Sequence, residues 1–277
     1  MPAPQSSMMK QLARLKFSQN NLKVPTNWQN PANSEHYGKA FKDSEKTTSP
    51  DTTAPPLFMP ATMNKYHTET QKKLNSDFGT FIDTTCDAIC GAWSQWQSAA
   101  TMVGVMIMGP MATLGQVVGI PWQPLILAQG AKSTPMQMKY TNVIATVLST
   151  SWMTYTATIK VAMSWYPLFA AMASPVAPPT PNIPCPVSAL IQVPVSIQPM
   201  LMKMQMVGQL ADPMAPFHQE LFDCICDAFD KCFKIWQNST MVTNVMGTGP
   251  VPTFLPPYVP VGPVVGGVGI MTPGGFV

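Results

Sequence analysis

The chain has 277 residues, of which 46% are hydrophobic and only 10% are Asp, Glu, Lys or Arg, against about 25% charged residues in a typical soluble domain. Arg14 is the only arginine, and arginine is the residue best suited to read phosphates and guanines, so the composition argues against a nucleic-acid-binding protein. Residues 88–211 contain no Asp or Glu and residues 235–277 carry no charge at all, which makes them poor solvent-facing surfaces and predicts that partner chains bury them.

Residues 1–62 are rich in Asn, Gln, Ser, Thr, Pro and Lys, with only scattered apolar residues. This composition predicts an extended polar arm, with a short helix around residues 8–17. The first thirty residues contain no apolar segment typical of a secretory signal peptide. We therefore expect synthesis in the cytoplasm without a signal peptide.

Two segments show the apolar spacing of three and four residues that is typical of one buried helix face. The first begins near Asn64 and carries Phe78, Ile82, Cys86, Ile89, Trp93 and Trp96. The second carries Phe222, Ile225 or Cys226, Phe229, Phe233 and Trp236.

These two segments belong to an internal repeat. Residues 83–113 match residues 223–253 without a gap, and eleven of the 31 aligned positions are identical, against about two expected from composition. The identical pairs include Trp96 with Trp236, Met106 with Met246, and Pro110 with Pro250. The sequence therefore predicts a duplicated module.

The repeat predicts a division of the chain after the arm. Residues 63–135 form a first helix and Gly/Pro module, and residues 211–277 form a second clear module with an uncharged C-terminal tail. Residues 136–210 are a candidate third, diverged module, because Trp152 and Tyr155 repeat the spacing of paired aromatics in the other two helices. Prolines exclude the end of each module from helices and central strands. The predicted fold is α+β, with repeated small modules and an extended N-terminal arm, in a symmetric oligomer.

The 19-residue apolar run at residues 102–120 is just long enough to span a bilayer. Gly109 and Pro110 interrupt it, and the matching segment after Met241 is rich in proline, so the second copy cannot be a spanning helix. The favoured interpretation is a turn at Gly109 and Pro110 between buried extended segments. A transmembrane helix is the alternative.

Paired carboxylates at Asp83 and Asp87 recur at Asp223 and Asp227, and such pairs can perform acid–base chemistry. No histidine or nucleophile pattern accompanies them. We therefore favour a structural role near the beginning of each helix, where a carboxylate interacts favourably with the helix dipole and can pair with a lysine of a neighbour. We expect no catalytic residue and no enzymatic activity.

The six cysteines lack the two close pairs of a typical tetrahedral zinc site. Burial as small hydrophobic residues is the favoured interpretation, with a metal site or a disulfide as alternatives. No glycine-rich phosphate-binding motif is present. We expect neither a cofactor-binding nor a metal-binding residue.

Four segments resemble structural proteins of tailed phages and of phage-derived contractile tails. They are SWYPLFAA (164–171), PPTPNIP (178–184), AWSQW (92–96) and GPVPTF (249–254). The resemblance implies a structural component of a virion or phage-tail-like particle, at the baseplate or tail tip, that acts through protein–protein assembly. The alternative is a membrane-active protein delivered by, or acting with, such a particle.

The expected partners are further copies of the chain, as a trimer or hexamer, and other structural proteins of the particle. Nucleic acid is not expected, and membrane contact is possible but not favoured. The 22 methionines are expected to supply adaptable packing in interfaces. The tail at residues 235–277 is expected to pack on other protomers or on another protein. The predicted interface residues are Trp93, Trp96, Met106, Pro110, Trp152, Trp165, Trp236, Met246, Pro250, Phe254 and Tyr258.

Overall fold

The computed structural model describes residues 3–20, 55–166, 168–170, 176–215, 217–252, 254–255 and 259–277. The chain forms two compact units, one comprising Met1–Phe17 with Ile82–Val277 and the other comprising Ser18–Phe81. In the second unit the described structure consists of residues 18–20 and of the first part of a long helix that begins at Pro55. The side chains of this helix are described at Lys73 and from Ser76 onward.

Helices and strands alternate irregularly along the chain. The helices of the described residues are α1 (Ser6–Gln19), α2 (Pro55–Ala99), α3 (Trp122–Gln129), α4 (Pro135–Thr158), α5 (Pro199–Leu210) and α6 (His218–Ser239). The strands are β1 (Thr101–Met108), β2 (Met111–Val118), β3 (Val161–Ser164), β4 (Phe169–Ala170), β5 (Val176–Thr180), β6 (Cys185–Pro186), β7 (Met241–Val242), β8 (Val245–Pro250), β9 (Phe254–Leu255), β10 (Val259–Gly262) and β11 (Val265–Met271). This mixture of helix and sheet confirms the α+β class.

The N-terminal arm is partly helical. The helix predicted at residues 8–17 is confirmed as α1. Residues 21–54 of the predicted arm lie outside the described residues. The predicted end of the arm at residue 62 falls inside α2, because that helix already begins at Pro55.

A six-stranded antiparallel sheet, called the main sheet, has the strand order β3-β2-β1-β11-β8-β5. The predicted turn at Gly109 and Pro110 is confirmed, since these residues join β1 to β2 as a hairpin. Gly109 has a φ of 62°, which glycine adopts without steric cost. The apolar run at residues 102–120 is therefore mostly strand. None of the helices in the described residues combines the length and the apolar character needed to cross a bilayer.

The C-terminal tail lies in the middle of the chain's own sheet. The sequence predicts that it packs on other protomers or on another protein, but β11 pairs with β1 on one side and with β8 on the other. The inward side chains of Val264, Met271 and Phe276 are buried within the chain. The reason is that an uncharged Val/Gly segment is equally suited to a central strand, where backbone pairing replaces contact with water.

The neighbouring strands β8 and β11 approach closely because glycines face each other. A Cβ atom at Gly249 would lie 2.4 Å from the Cα of Gly267, so this part of the sheet has no room for a side chain. The glycines of the tail are therefore packing residues of the sheet.

Aromatic side chains from α2, α3, α4 and α6 form the centre of the helical layer. The ring of Trp152 lies 4.4 Å from that of Trp122, 4.9 Å from Trp93 and 4.8 Å from Trp96, measured between centroids. Trp236 of α6 completes the group at 5.5 Å. The tilted and edge-on arrangements are those that aromatic pairs prefer. The apolar stripes predicted for α2 and α6 are confirmed as buried faces from Ile82 onward.

Helices α2 and α6 end in the same way. Helix α2 leads directly into β1 of the main sheet, and α6 leads through the short strand β7 into β8 of that sheet. The carbonyls of Trp96 and Trp236 each accept a hydrogen bond from the backbone N–H four residues later, at 2.7 and 2.8 Å. Further along, Gly104 and Asn244 both have a left-handed backbone, with φ values of 69° and 58°. Trp96 is separated from Trp236, and Gly104 from Asn244, by the same number of residues that separates the two copies of the sequence repeat.

Candidate assembly interface

The five tryptophans predicted as interface residues are core residues of the chain. They are at most 2% exposed, because they pack against neighbouring elements of the same chain. They are Trp93, Trp96, Trp152, Trp165 and Trp236. These side chains therefore offer no surface to a partner. Phe254 lies in β9, but its side chain is outside the described residues, and Tyr258 lies outside them altogether.

The methionines and prolines of the same prediction lie at the surface. Met106 on β1 and Met246 on β8 are 40% and 37% exposed, respectively. Pro110, in the hairpin turn, and Pro250, at the end of β8, are also exposed. Since β1 and β8 are strands of the main sheet, both methionines lie on this sheet.

The exposed apolar side chains of the main sheet define a surface that we call the open sheet face. Burial alternates along β1, β2, β8 and β11, so one side of the sheet is buried and the other is accessible. Helix α4 packs on β2. The members of the open sheet face are 37–56% exposed and are Val103, Met106, Met108, Met111, Leu114, Val118, Val176, Met246, Val265, Val268 and Ile270.

The centre of the open sheet face consists of cross-strand neighbours. Met106 lies opposite Val268 on β11, and Met108 lies opposite Val265 on β11 and Met111 on β2. Side chains in directly opposed positions are close enough to pack on each other. The face is therefore a connected apolar patch rather than a set of isolated side chains.

Among the six strands of the main sheet, all of which lie in the described residues, no position is Asp, Glu, Lys or Arg. Soluble monomers rarely expose connected apolar patches above a few hundred Å², and the surface of a soluble domain is roughly one quarter to one third charged. A surface of this kind is suited to burial against a second apolar surface.

The paired carboxylates bind helix α1. Asp83 accepts two hydrogen bonds from Arg14, from Nε at 2.7 Å and from Nη2 at 2.6 Å. Lys10 lies 2.6 Å from a carboxylate oxygen of Asp87. The buried side of α1 includes Met9. Both acids form ion pairs within the chain, and the partner of Asp83 is an arginine rather than a lysine. The predicted position near the start of the helix is wrong for this pair, because α2 begins at Pro55.

The second acid pair is also occupied by basic side chains. Asp223 lies 3.3 Å from Lys16 of α1 and 3.3 Å from Lys203 of α5. Asp227 pairs with Lys231 one turn later on α6, at 2.8 Å. Helix α1 therefore bridges carboxylates of both repeat helices, and these carboxylates hold helices together.

The ion pair between Arg14 and Asp83 makes the docking of α1 dependent on pH. Hydrogen bonds from Arg14 lower the pKa of the Asp83 carboxyl below its ordinary value of 3.8. Because the folded-state pKa is depressed, the stabilisation is present above pH 3.8 and is lost as the pH falls through the lower folded-state pKa. We expect Asp83→Asn to lower the free energy of unfolding by about 0.5–1 kcal/mol at pH 7. The difference from wild type should shrink as the pH falls below 3.8 and disappear below the lowered folded-state pKa of Asp83.

Urea titrations of wild type, Asp83→Asn, Arg14→Gln and the double variant, at pH 7 and at acidic pH, measure this effect. The double-mutant cycle isolates the interaction between the two side chains. Equal differences at pH 7 and at acidic pH, or additive single effects, would contradict the expected result.

The cysteines are free thiols, and five of the six are buried. Burial raises the pKa of Cys90 to about 12 and that of Cys232 to about 11, so both remain protonated at neutral pH. The sulfur of Cys90 lies 3.6 Å from that of Met9 on α1. The interpretation of these residues as buried packing groups is confirmed for the five. In the part of the chain that the structure describes, no cluster of His, Cys, Asp and Glu is placed to hold a metal ion.

Comparisons with protein-family models, with curated proteins and with solved structures find no match to this chain. The resemblance to phage and contractile-tail proteins therefore rests on the four sequence segments alone.

Sequence reasoning missed most of the open sheet face. It identified Met106 and Met246 from the repeat, and it expected Val265 in the tail to be covered by a partner, but it did not identify Val268 and Ile270. The strands are apolar on both sides, so alternation of polar and apolar residues, which would distinguish an inner from an outer face, is absent. The available signal was the lack of charge, which predicts a buried surface without saying which residues form it.

Proposed function

We propose that this chain is a non-enzymatic structural component of a virion or phage-tail-like particle, at the baseplate or tail tip, and that it acts through protein–protein assembly. The single observation that carries the proposal is the open sheet face, which is exposed, connected and uncharged. In this role the apolar face is covered by other protein in the assembled particle. The hydrophobic effect then supplies the driving force for association.

We further propose that residues 63–135 and 211–277 are copies of one module, with residues 136–210 as a diverged third. Support comes from the matching helix ends at Trp96 and Trp236 and from the strands that follow them. In the middle segment, α4 carries the paired aromatics and leads into β3, which is again a helix followed by a strand. Repeated modules suit a symmetric homo-oligomer, for which a trimer or hexamer is proposed.

A membrane surface is the second candidate partner, since an uncharged apolar face can also enter lipid. Helices and faces that bind membranes usually carry Lys or Arg beside their apolar residues, because cytoplasmic lipid surfaces are negatively charged. The hairpin turn at Gly109 and Pro110, at one edge of the face, carries no basic residue, and neither do Pro263 and Val264 before β11. Assembly with protein is therefore the better supported proposal.

Sedimentation tests the proposed function. In cells that produce the chain naturally, we expect it to sediment with large particles in a sucrose gradient, and we expect Val268→Lys to move it to the free-protein fractions. Met214→Lys is the matched control, because Met214 is 88% exposed and lies outside the sheet. Wild-type chain found only in the free-protein fractions would overturn the proposal. Flotation of the wild-type chain with liposomes would favour the membrane alternative.

A further inference from the structure

We propose that the open sheet face binds the same face of a second copy of this chain, sheet against sheet, around a twofold axis. This inference rests on the proposed assembly function and names the partner of that surface. The argument uses the area of the face, its composition and its shape.

The exposed area is that of a stable dimer contact. The eleven side chains, each 37–56% exposed, present about 900 Å² per chain, while a standard protein–protein interface buries about 800 Å² on each partner. Two copies that cover each other completely would therefore form a full-sized interface. No additional contact is needed to reach that area.

The composition favours a copy of the chain over an unrelated protein. Transient interfaces are about as apolar as the rest of a protein surface, whereas homodimer interfaces are more apolar and exclude charge from their centre. The open sheet face consists of Val, Met, Leu and Ile, and its strands carry no charge. An uncharged face has no charge pattern with which to select a different partner. Its apolar surface is chemically suited to contact the same apolar surface of a second copy.

The shape of the open sheet face also allows it to fit against the same face of a second copy. Met106, Met108 and Met111 are long, flexible side chains that rise from the sheet and can adapt to irregular surfaces. Gly104 and Gly266 leave open space above the backbone, since a Cβ at either position would meet no atom within 4 Å. The same surface thus offers both projections and depressions, as a twofold contact requires.

The strand order places the axis. β1 and β11 are the third and fourth strands of six, so the seam between them, where Met106 lies opposite Val268, is the middle of the face. A twofold axis that passes this seam brings the face into full register with its copy. Such a contact exists in a dimer and in a hexamer built from three dimers, but not in a trimer, which has no twofold axis.

The test uses the full-length purified chain. We expect native mass spectrometry and light scattering to show a dimer, or a hexamer built from three dimers. Val268→Lys should raise the dimer dissociation constant by about 100-fold, because two like charges meet near the axis, and Met214→Lys should leave it unchanged. A short bis-maleimide should cross-link Met106→Cys into dimers and leave Met214→Cys monomeric on a denaturing gel. The wild-type chain treated in the same way accounts for the native cysteines.

Each outcome separates this inference from the proposed function. A monomer, a trimer alone, or a dimer that Val268→Lys leaves intact would overturn the twofold contact. If a monomeric chain still enters particles and Val268→Lys prevents it, the assembly function stands and a different protein covers the face. If the dimer forms as expected but never sediments with particles, the proposed function falls and the twofold contact stands.

Discussion

Replacing Trp152 with alanine should lower the free energy of unfolding by about 4 kcal/mol, a large part of the roughly 5–15 kcal/mol that stabilises a typical domain. Trp152 is 1% exposed, and its ring centroid lies within 6.4 Å of those of seven other aromatic side chains. These neighbours come from α2, α3, α4 and α6, so no single element can move to fill the cavity. The cost therefore includes both lost burial and an unfilled space.

Urea titration followed by far-ultraviolet circular dichroism measures this loss, because the signal does not depend on the deleted fluorophore. Trp152→Phe keeps an aromatic ring at the site and should cost less than half as much. Met214→Ala, at an exposed position, should change stability by no more than about 0.5 kcal/mol. A loss below about 1 kcal/mol for Trp152→Ala would show that the aromatic group is not the centre of the core.

Deleting residues 265–277 should abolish cooperative unfolding of the chain. The deletion removes β11, which separates β1 from β8, and leaves both strands with unpaired backbone groups. It also removes the carbonyl of Phe276, which accepts a hydrogen bond from Gln97 at 3.0 Å. Gln97 in turn accepts one from the indole of Trp236 at 2.9 Å. Both the sheet and the edge of the aromatic core thus depend on the deleted segment.

The expected signs are a broad, non-cooperative urea transition and increased binding of a hydrophobic dye. Thr272→Ala is the matched control, since Thr272 lies in the deleted segment, is exposed, and stands outside both β11 and the open sheet face. This control should unfold cooperatively, close to wild type. If the truncated chain retained the wild-type midpoint, β11 would be dispensable for folding.

Local features of this fold were predictable from the sequence. Spacing of three and four identified the buried faces of α2 and α6, because a helix repeats every 3.6 residues whatever surrounds it. The turn at Gly109 and Pro110 followed from the backbone preferences of two residues. The ion-pair role of Asp83 followed from the absence of a catalytic partner.

The position of β11 and the members of the open sheet face could not be predicted in the same way. Strand pairing joins residues far apart in sequence, and the sequence of an apolar strand does not specify which other strand pairs with it. The hydrophobicity of Trp93 and Trp236 likewise predicts burial, but it does not say whether the covering atoms belong to the same chain. For both tryptophans, they do.

The central position of β11 also sets the order of events during synthesis. Strand β1 pairs with β2 as soon as the hairpin has left the ribosome, but its other edge pairs with residues made about 160 positions later. Until then β1 carries an apolar, uncharged and unpaired edge, which is the kind of strand that joins other nascent chains. The nascent chain is therefore most prone to aggregate between the synthesis of β1 and that of β11.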